Sequence, residues 1–124
     1  MNFIKVIGTT ISGVARAILT DPDGRVNVAY EVMDSGRQTV TTVGTRVRLT
    51  TVPTPASLVM LTAETDNTGI ITYGGSQVDA ALATRKGFPL SVGQSSPWIP
   101  VSNLSNIWLD TTVNTDGVTY IVLR

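Results

Sequence analysis

The residues able to do chemistry are few, and they fall at turns. Histidine and cysteine are absent from the 124 residues. That removes thiolate nucleophiles, disulfides, the usual zinc ligand sets and histidine general bases. What remains is carboxylates, hydroxyls and one glycine pair. The stretch "NTGIITYGGSQVDA" (67–80) ends an apolar run on Gly74-Gly75. A phosphate loop needs G-x-x-x-x-G-K-[ST] or G-x-G-x-x-G spacing ahead of a helix, so that backbone N–H groups converge on the anion. Ser76, Gln77, Val78 and Asp79 follow instead, and the next glycine is Gly87. The pair reads as a corner between strands, where glycine's access to positive φ has its use.

Asp21-Pro22-Asp23-Gly24 has the opening of a calcium loop, but Val32 stands where an EF-hand places its bidentate Glu. A type I turn accounts for Asp first, Pro second and Gly fourth. Glu64-Thr65-Asp66, Asp79 and Asp110 sit at turns or strand ends. Side-chain to backbone bonding explains such positions without catalysis. A glycosidase pair would require two carboxylates across a sugar-sized cleft, which spacing alone does not supply. The reading is a non-enzyme with no metal and no cofactor.

The elements that carry these residues are strands. Thr and Val dominate, and short apolar runs are cut by Gly, Pro, Asn and Asp. "VARAILT" (14–20), "DPDG" and "RVNVAYEV" (25–32) predict a hairpin, with Val26, Val28, Tyr30 and Val32 alternating with polar partners. "MDSGRQ" (33–38) predicts a break and a boundary. That divides the chain into an N-terminal arm or hairpin, 1–38, and a domain, 39–124. "TVTTVGTRVRLT" predicts a strand with a bulge at Gly44. "SLVMLTAE", nearly continuous in apolar residues, predicts a buried strand. "IITYGG", "FPLSVGQS", "PWIPV", "NIWLDTTV" and "GVTYIVL" follow, the last two joined by the turn "NTDG", with "ALATRKG" (81–87) a helical turn or a loop. Eight or so strands at this spacing predict an all-β antiparallel sandwich, jelly-roll-like or immunoglobulin-like. Leu61, Ile71, Trp108 and Ile121 are expected in its core.

Charged residues make up only 15% of the chain and balance to zero. No basic stripe suggests nucleic acid. No apolar run approaches the roughly 18 residues that a membrane span requires. The opening "MNFIKVIGTTISGVARAIL" lacks the uninterrupted apolar stretch of a signal peptide, so the chain is expected to be soluble and to keep its start. Phe3, Ile4, Val6, Ile7, Ile11 and Val14 give this segment apolar surface with only Lys5 and Arg16 charged. Exposed, it would invite aggregation. Either it lies on a neighbouring subunit and extends that subunit's sheet, or it supplies the first strands of one larger sandwich. Trp98, between Pro97 and Ile99-Pro100, is the aromatic best placed for a contact surface. An exposed aromatic there would also suit stacking on a sugar.

The order "N-T-G-I-I-T-Y-G-G", "P-L-S-V-G-Q-S", "N-L-S-N-I-W-L-D" and "D-G-V-T-Y" over residues 39–124 resembles a small β-sandwich module of tailed-bacteriophage virion proteins. The resemblance covers about two-thirds of the chain and carries no catalytic residues over. It implies a virion structural protein, assembled in the host bacterial cytoplasm. The expected partners are other virion subunits, either the major capsid protein or tail and connector proteins, together with further copies of itself. Head decoration comes first among the roles it implies. Next come a tail, baseplate or connector role and a glycan-binding host-recognition module.

Overall fold

In the computed structural model the described residues are 7–9, 15–17 and 30–124. The chain divides into two compact units, Met1–Tyr30 and Glu31–Arg124. In the first, β1 (Ile7–Thr9) and β2 (Ala15–Ala17) pair antiparallel, Gly8 opposite Arg16. Ala15–Ala17 pairs with β1, and the hairpin expected between 14–20 and 25–32 falls mostly outside the described residues. The Asp21–Asp23 turn and residues 25–29 lie outside the described residues.

The second unit holds eight strands: β3 (Met33–Thr39), β4 (Val47–Arg48), β5 (Leu58–Ala63), β6 (Ile71–Gly74), β7 (Phe88–Leu90), β8 (Ile99–Pro100), β9 (Trp108–Thr111) and β10 (Gly117–Leu123). They form two four-stranded antiparallel sheets, ordered β3-β10-β5-β8 and β4-β9-β6-β7. The first strand pairs with the last, the second with the seventh, the third with the sixth and the fourth with the fifth. This is one long antiparallel ribbon folded over itself, the connectivity of a jelly roll. It decides between the two sandwich types the sequence left open.

The core is what strand alternation places between the sheets. Val59, Leu61 and Ala63 of β5, Val118 and Val122 of β10, Ile71, Leu90 and Leu109 are buried there with Val40, Leu49, Leu104 and Ile107. Such burial contributes about 25 cal/mol per Å2 of apolar surface removed from water. Leu61 and Ile71 sit where expected. Ile121 does not: Val118, Tyr120 and Val122 face the core, so period two turns Ile121 outward at 41% exposure. Trp108 is half-buried beside the inward Leu109, with the Arg48 guanidinium 4.9 Å over its ring. Leu58–Ala63 is likewise alternating rather than buried on both faces, with Leu58, Met60 and Thr62 on the outer side.

Two boundary readings change as well. Residues 33–38 are no break: β3 pairs with β10 along its whole length, from Met33 opposite Leu123 to Thr39 opposite Gly117. The contacts instead divide the chain after Tyr30. Gly44, at φ +78, is the third residue of a turn closed by Thr45 N–H donating to the Thr42 carbonyl, and β4 begins only at Val47. Positive φ at that position is the requirement of a type II turn. At Gly74-Gly75 no positive φ occurs, and the demand for glycine falls on Gly87. Its φ is +113, and a Cβ there would stand 2.6 Å from the Tyr73 carbonyl oxygen.

Candidate attachment surface

The two sheets present different outer faces, and the difference locates the candidate site. On β4-β9-β6-β7 the outward residues Thr72 and Asp110 are opposite one another and both buried. What covers them is the chain's own excursion between β6 and β7. Val78 and Ala80 of that excursion are buried too. The Asp110 carboxylate accepts from Gly44 N–H at 3.0 Å and from Ala80 N–H at 2.8 Å, joining two loops. Arg46 Nε donates to the Val78 carbonyl, and Arg85 Nε and Nη2 donate to that of Ala80. This face is closed.

The outer face of β3-β10-β5-β8 has no such cover among the described residues. Met33 is 72% exposed beside Leu123, whose other neighbour is Leu58. Ile121 pairs with Ser35 on one side and Met60 on the other. Trp98, 42% exposed, leads into β8 two residues before Pro100. A shallow trough of about 420 Å3 crosses the face, lined by Ser35, Gly36, Arg37, Met60, Thr62, Thr119, Tyr120 and Ile121. At its polar end the Arg37 guanidinium forms a fork with the Glu64 carboxylate, Nη2 to Oε2 at 2.8 Å. An apolar row with a polar margin is the composition of a protein-contact surface.

The carboxylates behave as backbone clamps. Asp116 accepts from the N–H groups of Thr68 (3.1 Å) and Gly69 (2.8 Å). Asp79 accepts from Ala81 N–H and from Thr84 Oγ1 at 2.6 Å. Those two bonds, led by Thr84, hold the Asp79 carboxyl below its ordinary pKa. Burial raises the phenol pKa of Tyr73, and that of Tyr120, where the nearby Asp34 carboxylate adds to it. Among the described residues no three metal-ligating side chains gather, and no helix is long and apolar enough to cross a membrane.

Of the residues singled out in the sequence for assembly, Trp98 is on the surface and adjoins the exposed sheet. Ile7 opens β1. Phe3, Ile4, Val6, Ile11 and Val14 lie outside the described residues. The sequence reading missed Met33 and Ile121, the first because its segment looked like a break, the second because it looked like core. Strict period-two counting from Val118 would have found Ile121. The chain matches no protein-family model, no curated protein and no solved structure.

Proposed function

We propose that the protein is a structural subunit of a tailed-bacteriophage particle, a head decoration (cement) protein that self-associates and attaches to capsid subunits by surface burial. The observation that carries this reading is the asymmetry between the sheets. One outer face is sealed by the chain's own loops, and the other leaves Met33 and Ile121 in solvent. The low charge content and zero net charge suit a protein that works among close neighbours. The motif order in residues 39–124 resembles virion modules, and jelly rolls recur in viral capsid and lectin domains. The latter is fold-level analogy, since one fold serves many functions.

The test is attachment of purified protein to particles lacking it. Met33→Glu and Ile121→Glu place a charge on the bare face without touching the core. Each variant is expected to keep its circular dichroism and melting behaviour while binding at least about tenfold more weakly. Full attachment by both folded variants would overturn the assignment of this face.

A further inference from the structure

A sheet edge is a template for another strand, and folded proteins commonly blunt it. Three of the four edges of the two four-stranded sheets are blunted. β8 is two residues long and ends on Pro100, β4 is two residues long, and β7 carries Pro89 at its centre. Proline cannot donate to a ladder. The fourth edge, β3, runs seven residues with no proline and no lysine.

The direction of its free groups follows from its bonds to β10. Val32 and Arg124 exchange hydrogen bonds of 2.9 and 3.1 Å, and Val40 N–H donates to the Asp116 carbonyl at 2.9 Å. Even-numbered residues therefore face β10, and the backbone groups of Met33, Ser35, Arg37 and Thr39 face away from it. Among the described residues only local side chains meet them, Asp34 Oδ1 accepting from Ser35 N–H and Gln38 Oε1 from Thr39 N–H. Gln38 Nε2 also donates to the Arg48 carbonyl, tying the Thr39 end to the other sheet. Between Met33 and Arg37 the remaining outward groups meet no backbone partner among the described residues, and pairing there exchanges the Asp34 carboxylate on Ser35 N–H for a carbonyl.

We propose that this edge is a pairing site for a second copy of the chain, β3 against β3, antiparallel about a twofold axis at Ser35. It names the surface for the self-association in the reading above. In that register Ser35 faces Ser35 of the second copy, Met33 faces Arg37 and Asp34 faces Gly36. No like charges meet, whereas a shift of one residue to centre on Asp34 would oppose two carboxylates. The outer faces of the two sheets then become continuous across the axis, with Ser35 and Arg37 at the seam and a Met33–Ile121 row on either side of it.

The experiment uses the full chain, whose lack of cysteine makes single thiols informative. Sedimentation equilibrium gives the assembly state of the wild type and of Ser35→Lys, which would set two ammonium groups against each other at the axis. Ser35→Cys, with Ser76→Cys as the surface control, is treated with a short bifunctional thiol reagent. A dimer or larger assembly, weakened at least about tenfold by Ser35→Lys and covalently trapped from Ser35→Cys but not Ser76→Cys, supports the proposal. A monomer overturns it, as does an assembly insensitive to Ser35→Lys and untrapped at Ser35→Cys. Should Ser35→Lys fail to fold, trapping through Ser35→Cys decides alone. These results come from isolated protein, so failure here is distinguishable from failure to attach to particles.

Discussion

Thr72 and Asp110 stand directly opposite one another on β6 and β9, both buried on the side of their sheet that faces away from the core. Two polar residues on an outward face would ordinarily meet water. Here the loop that follows Gly74 returns over them, and the Asp110 carboxylate accepts from its Ala80 N–H and from Gly44 N–H of the loop before β4. The pair makes a second, small interior, which leaves the other sheet as the one whose outer face is bare among the described residues.

Asp110 is therefore expected to matter more than its distance from the main core suggests. Asp110→Asn keeps one acceptor and turns an amide N–H2 toward a donor, leaving a buried N–H unmet. The expected cost is about 1–3 kcal/mol in urea denaturation, with Asp110→Ala at least as damaging. A loss within experimental error for both would mean that the two loops are held by packing alone.

Thr72 supplies the opposite case. Its hydroxyl is buried with no hydrogen-bond partner among the described residues. Thr72→Val preserves the shape and removes an unpaired polar group, so stability should be unchanged or higher. Thermal melting checks this. A drop corresponding to more than about 1 kcal/mol would show that the hydroxyl has a partner.

Strand phase separates Leu61 and Ile71 from Ile121. Leu61→Ala and Ile71→Ala, at fully buried positions, should each cost about 2–5 kcal/mol. Ile121→Ala, on the exposed face, should cost less than about 1 kcal/mol. Denaturant midpoints at constant slope distinguish them, and equal losses at Ile121 and Leu61 would invert the phase of β5 and β10.

Asp79 gives a pH prediction. Its folded pKa lies below the ordinary value because Thr84 Oγ1 and Ala81 N–H donate to the charged form. A depressed carboxylate contributes stability that is present above its unfolded pKa and lost as pH falls through the folded one. Thr84→Val removes the larger cause, so the Asp79 pKa should rise toward 3.8 in a carboxyl NMR titration. An unmoved titration would assign the shift to the backbone bond instead.

Most strands from β5 onward were legible because their inward residues are apolar and alternate, as in Val59, Leu61 and Ala63. β3 was not. Its core-side residues Asp34, Gly36 and Gln38 are polar or small, since the ring of Tyr120 on the neighbouring strand occupies the space over Gly36. Backbone pairing with β10 makes the strand, and no apolar alternation announces it. The sealed outer face was hidden for a related reason. Thr72 and Asp110 read as solvent positions until a loop nearly contiguous in sequence is seen to cover them. With β3 unread and Ile121 assigned inward, the bare face itself had only Trp98 to mark it.

Copy number in purified virions tests the proposed decoration role most directly. Quantitative mass spectrometry against the major capsid protein should give a ratio of the same order as one. A few to dozens of copies per particle would move the protein to the tail, baseplate or connector, and its absence from purified particles would contradict a virion role altogether.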